Sequence, residues 1–411
     1  MFTTALLGAA FLCYGAEESR RLHAERRAEH RLYLTRPEIM RNPRENTPWQ
    51  VLYHSQSDRA FIITMGLDVP SFDLILEAGF QRRWDSLPIP RRDVNSCAKP
   101  RIFRRSLDAA GGLGLVLHFL NSTMLETSLV QIFALVPSTV SRYISFSLSI
   151  LLLTLREMHH ARIRWLEGDE FEQRCDLVCK RHPVLTGAFG IMDGLNLPVQ
   201  TSSDQHIENA TFNGWLHDHF VKCVIAFCSQ GEIIGCRLNC PGSWHDSRVA
   251  FPIYEKLRTS TPEGYYLVTD TAFPRGTQQT AGHIKAPMKD GTRLPLNPRL
   301  HSEAMIFDRQ LLSFRQAAEW GMGALQGSFG RLRVPLPINY EDHRGDLLEN
   351  CMRLFNLRTR LVGYNQIRSV YLPIWKEGEY DRVWNSFEDM LFKDQRKSDR
   401  VSRFHLAIEY E

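Results

Sequence analysis

An α/β layer with a mixed sheet, preceded by an all-α region arranged as a helix-turn-helix, is the fold class this sequence predicts. Three observations carry it. Apolar residues recur at helical spacing from Ser106 to Leu155, the pattern turns strand-like after Arg181, and helical spacing returns from Ser302. The 411 residues exceed one ordinary core, and 43% hydrophobic with 23% charged content is that of a globular chain. Collagen-like, coiled-coil and wholly disordered classes are excluded by the same composition. A net charge of +4 leaves any nucleic-acid affinity to local patches.

Residues 1–105 form the first region. The apolar start, Phe2 to Tyr14, lacks a basic flank and falls short of the ~20 residues of a membrane span, as does the run Ile144 to Leu155. Both are expected to be packed helix segments, with no membrane partner. The following EESRRLHAERRAEHRLYLTR reads as a solvated helix supported by i,i+4 pairs. The region ends in a basic arm: Arg82, Arg83, Arg91, Arg92, Lys99, Arg101, Arg104 and Arg105 face only Asp85 and Asp93. Pro88, Pro90 and Pro100 oppose a regular helix there, so an extended segment is expected. Such an arm suits phosphate contact or a nuclear-import receptor, and it equally suits a solvated linker.

Residues 106–158 carry the helix-turn-helix pattern. Leu113, Val116, Leu117 and Leu120 share one helical face, and Leu129, Ile132, Phe133 and Val136 form a second stripe. Pro137 and Ser138 break the pattern before a third helix, VSRYISFSLSILLLTL, whose later part is apolar on every side and must be buried. In a helix-turn-helix the start of the last helix meets base edges or phosphates, and Ser138, Thr139, Ser141 and Arg142 are suited to that. Three-helix packing without DNA contact is the alternative. The GGLG stretch lacks the Lys-Ser/Thr of a phosphate loop.

A charged connector spans 159–182, the α/β domain 183–367 and a tail 368–411. FGIMD, HFVKCVIAFCS, IIGCRLNC, YYLVTD and HIKAPMK are its predicted strands, followed by helices over 302–332 and 346–361. Nine irregularly spaced cysteines point to reduced thiols rather than a disulfide framework, and none of the Cys and His spacings follows a C-x₂-C zinc pattern.

Candidate chemistry lies in carboxylates. Asp193 ends the first predicted strand, Asp270 ends the fourth, Asp246 lies in the turn PGSWHDSR, and Glu319 sits in the long helix. Hard divalent cations need several oxygen ligands converging at one edge of a rigid sheet, and two ions ~4 Å apart need carboxylates from separate elements. A single acid after a strand is more often a turn or cap residue.

The combination GIMDGLNLPV, FNGWLHDHFVKCVIAFCSQGEIIGCRLNCPGSWHDSRV, YYLVTDTAFP and RQAAEWGMGALQGSFGRLR resembles the catalytic domain of PIF/Harbinger-type DDE transposases, over roughly Pro183 to Ile367. LDAAGGLGLVLHFLNSTMLETSLVQIFALVPSTVSRY is similar to that family's helix-turn-helix region. The resemblance implies an RNase H-like mixed sheet flanked by helices, with Asp193, Asp270 and Glu319 as catalytic acids holding two Mg²⁺ (or Mn²⁺) ions. His245 and Asp246 match the family's HDS element, read as a turn and helix N-cap or as support for the metal ligands. Two departures stand out: Asp193 is followed by Gly-Leu, and Asp270 by Thr-Ala-Phe-Pro where Ser-Gly-Tyr-Pro is usual. Ala272 matters only if that turn needs positive φ.

The implied activity is a transposase, or a nuclease derived from one, that cuts and joins phosphodiesters. A domesticated, non-catalytic DNA- or protein-binding protein is the alternative. Double-stranded DNA bearing terminal repeats is the expected partner, contacted by the basic arm, the Ser138–Arg142 helix start, and Arg315, Arg331 and Arg333. A Myb-like accessory protein, homo-oligomerisation and a nuclear location complete the implied picture.

Overall fold

The computed structural model describes residues 2–29, 33–90, 99–274, 280, 282–289, 291–363 and 365–371. They divide into two compact units, one of Met1–Arg162 with Ser328–Leu354 and one of Ile163–Gly327 with Phe355–Glu411. Residues 328–354, grouped with the α/β domain from sequence, thus cluster with the N-terminal region.

Among the described residues of the first unit, eight α-helices precede residue 162: α1 (Phe2–Glu29), α2 (Pro48–Ser55), α3 (Asp58–Met65), α4 (Val69–Ile75), α5 (Gln81–Ser86), α6 (Ala109–Asn121), α7 (Glu126–Phe133) and α8 (Pro137–Glu157). Side-chain caps explain several starts: Thr47, Ser57, Asp68 and Asp108 each accept a hydrogen bond from the backbone N–H three residues on. Helix α1 joins the apolar start and the charged stretch, with Arg21 paired to Glu18 and Glu25. The packing of side chains 2–12 lies outside the described residues, as do Arg91 and Arg92 of the basic arm.

Part of that arm is helical rather than extended. Phe80 and Trp84, one turn apart, are fully buried and stack at 6.3 Å, which anchors α5 until the chain reaches Pro88. Arg83 is drawn into the same packing, donating to Thr154 Oγ1 and pairing with Glu157. Helix α6 is buried from Ala109 to Leu120, far more than the one face expected. The reason is aromatic: Gly112 lies against the Trp84 ring and Gly114 against Trp49.

Helices α7 and α8 are joined by a three-residue turn, with Ala134 left-handed at φ 50° and Pro137 opening α8. Helix α8 is not apolar on every side, because Ser141, Ser145, Ser149 and Leu153 form an exposed row one turn apart. At 21 residues it outlasts the apolar run read from sequence and is long and apolar enough to cross a membrane; 61% of that window is buried within the fold.

His118 of α6 sits edge-on to Trp49 and Phe133, and neither ring nitrogen finds a partner. Burial pushes its pKa down to about 4. The unfolded chain therefore binds this proton first as pH falls below the ordinary 6.5. Stability contributed by neutral His118 should drain away between pH 6.5 and 4, by up to about 3 kcal/mol. Urea midpoints of His118→Leu should vary less with pH over that window than those of wild type. Parallel profiles would contradict the assignment.

The second unit is built on a mixed sheet. After α9 (Glu170–Cys179) come β1 (Ala188–Pro198), α10 (Gln205–Thr211), β2 (Phe212–Asn213), β3 (Asp218–Cys228) and β4 (Ile233–Pro241). Then follow α11 (Asp246–Val249), α12 (Phe251–Ser260), β5 (Tyr266–Val268), β6 (Ile284–Lys285) and α13 (Pro298–Ser328). Helix α14 (Glu341–Leu361) is divided between the units, and α15 (Gln366–Tyr371) closes the described chain. The strand order is β4-β3-β1-β5-β6, with β2 against the start of β3. Strands β1, β3 and β4 are antiparallel neighbours, whereas β1, β5 and β6 run parallel. All five predicted strands are present; β2, two residues long, has no periodicity to betray it.

One face of the sheet packs Met192, Val224, Ala226 and Leu267 against Ile253, Tyr254 and Leu257 of α12. On the other, Phe227 meets Phe355 at 6.0 Å and fits beside Gly321 of α13, where a Cβ would come within 3.0 Å of the ring. The β3–β4 hairpin is clamped by polar side chains. Asn356 Oδ1 accepts from Ile233 N and its Nδ2 donates to Ile233 O, both at 2.8 Å, so an amide completes the backbone pairing. Arg360 pairs with Glu232, and Asn365 donates to Gly231 O.

Candidate active site

Register alone brings two of the acids together. Ile191 pairs with Val268 on adjacent parallel strands, and Asp193 and Asp270 each lie two residues further along. Neighbouring strands run ~4.8 Å apart, so the two residues lie side by side. Strand β1 nevertheless continues to Pro198: Asp193 stands midway along it, opposite Ile225 of β3, rather than ending it as the sequence predicts, and only Asp270 follows a strand end. Backbone amides orient both: Gly194 N donates to Asp193 Oδ1 and Ala272 N to Asp270 Oδ1, each at 2.8 Å. Ala272 does not have positive φ, so the turn closes without the glycine usual there.

Burial pushes the Asp193 pKa up to about 6, and the charges of Asp270 and Asp246 add to the rise. The Gly194 N–H and the Arg315 guanidinium oppose it. This is a carboxylate held in a low-dielectric position beside two others of the same sign, a disposition a divalent cation would relieve.

Asp246 therefore belongs to the site's electrostatics. It does not cap α11: His245 does, its Nδ1 accepting from Ser247 N at 3.3 Å. The Asp246 carboxylate instead turns back over the sheet, pairing with the largely buried Lys222 at 2.8 Å. It rests on Gly194, where an added Cβ would stand 3.0 Å from the carboxylate carbon. Gly194 is thus required by close approach. Tyr254 of α12 faces the same charges: burial, then Asp246 and Asp270, push its phenol well above the ordinary range. Its buried hydroxyl has no hydrogen-bond partner.

Glu319 is placed differently. It sits on α13 with its side chain 58% exposed and bonds Arg315, one turn earlier, at 2.9 Å. Arg315 links the acids, since its charge also bears on Asp193. Among the described residues, no three His, Cys, Asp or Glu side chains converge closely enough to hold an ion together. Asp193 and Asp270 fit a hard cation in chemistry and position; Glu319, in this arrangement, is engaged by a guanidinium.

Beside Asp246 and Asp270 runs an open groove of about 600 Å³, lined by Ser247, Arg248, Phe251, Thr271, Ala272, Phe273, Pro274 and Lys289. Arg248 stacks over Trp244 at 4.0 Å, which holds its guanidinium at the groove wall. Lys222, Arg248, Tyr254 and Lys289 escaped the sequence reading, because no local pattern distinguishes them from ordinary strand, helix and loop residues.

The expected DNA contacts meet different fates. Arg82, Arg101 and Arg104 are exposed, as are Ser138 and Ser141. Lys99, Arg101, Arg104 and Arg105 line one cavity with Thr139 and Arg142, so the arm and the α8 start meet. Arg331 is taken up internally: it donates to the Phe119 and Met124 carbonyls and stacks on the Phe119 ring at 4.0 Å. Arg333 is exposed.

Comparison with known proteins gives no significant match among curated proteins or solved structures. One protein family matches: residues 192–356 are similar to the DDE superfamily endonucleases, and a six-stranded mixed sheet flanked by helices fits the RNase H-like domain of such an enzyme.

Proposed function

We propose that this chain is a divalent-metal-dependent DNA endonuclease, specifically a PIF/Harbinger-type transposase or a nuclease derived from one. The observation that carries the reading is the placement of Asp193, midway along β1, beside Asp270, just past the end of the adjacent parallel β5, inside the region that matches the endonuclease family. Mg²⁺ or Mn²⁺, two ions in the full reading, supplies when bound the Lewis acidity that activates a water or a 3′-OH and stabilises the leaving oxygen. Asp193 and Asp270 would hold it, one within β1 and one just past β5, with backbone amides fixing both carboxylates. Glu319 would join as third ligand once Arg315 lets go, the guanidinium being then free for a phosphate. Arg248 and Lys289 would steady a duplex strand in the groove beside the acids. Terminal-repeat duplex DNA as substrate, a nuclear location, self-association and a Myb-like accessory protein belong to the same proposal.

Supercoiled plasmid with Mg²⁺ tests it. Wild type should nick, and Asp270→Ala should lower the rate about 10³-fold, the scale of one lost metal ligand. The Arg315–Glu319 bond favours one rival, a non-catalytic descendant that keeps binding alone. Equal, metal-independent background from wild type and variant, with DNA binding intact, would establish that rival.

A further inference from the structure

The cavity in the first unit is built to take an anion. Arg105 lies at its heart, 7% exposed, held over the rings of Trp84 at 5.2 Å and Phe146 at 5.5 Å. Its Nη2 donates to the Leu87 carbonyl, yet the buried Nη1 has no hydrogen-bond partner. Asp85 acts on the guanidinium only at a distance, and burial lowers its pKa. That nitrogen is closed off behind the packing, so what Arg105 brings to the cavity it lines is the positive charge of its guanidinium rather than a free N–H.

The surroundings agree. Lys99, Arg101, Arg104 and Arg142 share the walls of this cavity of about 330 Å³, and no acid among the described residues lines it. Arg142 is preset, its Nε bound to the Ser138 carbonyl at 2.8 Å. Tyr143 Oη accepts from Ser106 N at 2.9 Å, tying the basic segment to α8. In the same segment, between the lining residues Arg101 and Arg104, Phe103 presents its side chain wholly to solvent, 100% exposed. A bare aromatic next to an anion pocket is the pairing that recognises an unpaired nucleotide: phosphate in the cavity, base on the ring. Duplex bases are already stacked and offer no free face.

We propose that this cavity seats one phosphate of an unpaired DNA strand whose neighbouring base stacks on Phe103. The inference is independent of cleavage at Asp193 and Asp270.

The test uses the full chain with a fluorescein-labelled 12-nucleotide single strand and the matching duplex, titrated over a salt series. Arg142→Gln should flatten the single-strand salt slope by about 0.7, one phosphate's worth, and adding Lys99→Gln should flatten it little further, because both serve one phosphate. Phe103→Ala should weaken single-strand binding about tenfold, leave the slope unchanged and spare the duplex. Far-ultraviolet circular dichroism and melting confirm that each variant folds. Losses that add between Arg142→Gln and Lys99→Gln, or a Phe103→Ala effect equal on duplex and single strand, would overturn the proposal in favour of a diffuse duplex-binding surface. Unchanged binding in all variants would leave the cavity to an anion other than DNA, and inorganic phosphate competing for Arg142-dependent tryptophan quenching would identify it. Asp270→Ala, far along the chain from this cavity, should bind the single strand as wild type does, which separates this outcome from any failure at the acids.

Discussion

Asp193→Asn should abolish metal-dependent nicking and at the same time make the metal-free protein more stable. The first effect follows from losing a ligand charge, about 10³-fold in rate or ~4 kcal/mol of barrier. The second follows from what wild type tolerates: a carboxylate in a largely buried position, with Asp270 and Asp246 as neighbours of like sign. Neutral asparagine keeps the shape and removes both the desolvation and the repulsion. The gain is set at about 1–2 kcal/mol, since Asp193 retains some exposure and Arg315 offsets part of the cost. Melting curves with and without Mg²⁺ read both parts. Wild type should gain stability on adding Mg²⁺, by mass action, and the variant should not. A less stable metal-free variant would mean that Arg315 and the Gly194 N–H outweigh burial, which would remove the electrostatic case for a cation site.

Gly114→Ala should destabilise the first unit by about 2–4 kcal/mol, although alanine is the better helix former by ~1 kcal/mol. The contest is decided by space. A Cβ at 114 would stand 2.2 Å from Trp49 Cη2, and Trp49 is fully buried. The indole has nowhere to go: Phe133 stacks on it at 5.3 Å, and His118 and Phe72 close in at 6.2 Å. A rigid ring in a close-packed core must either tilt off its rotamer or push α6 outward. The melting temperature should fall by about 5–15 °C. Gly323 is the internal control, because a Cβ there meets nothing within 4 Å. Gly323→Ala should be neutral or stabilising. Equal behaviour of the two variants would refute the packing account of the α6 glycines.

Much of this protein was legible along the chain because its determinants are local. The strands announced themselves by β-rich runs bounded by turns, and β1, β3, β4, β5 and β6 stand where those runs lie. The α7–α8 turn was visible in Pro137 and Ser138, since proline at a helix start needs no distant partner. Asp193 and Asp270 stood out through the combination of motifs around them rather than singly, since one acid after a strand is more often a turn or cap residue, and Asp193 lies inside β1, which runs on to Pro198.

Other features exist only once distant segments meet. That α6 is buried all round depends on Trp49 and Trp84, from helices far earlier in the chain, filling the spaces its glycines leave. Asp246 looked like a cap, but Lys222 on β3 and Gly194 on β1 hold its carboxylate over the sheet. Glu319 is a candidate by its motif alone, and its engagement with Arg315 is a matter of side-chain packing that spacing cannot express. Arg331, one basic residue among many, is consumed by the carbonyls of Phe119 and Met124. Periodicity and turn chemistry act over a few residues and are written in order, so the sequence by itself determined most of the elements and marked the candidate acids. Burial and charge pairing act through space, so only the tertiary structure decided which groups those acids and cations face.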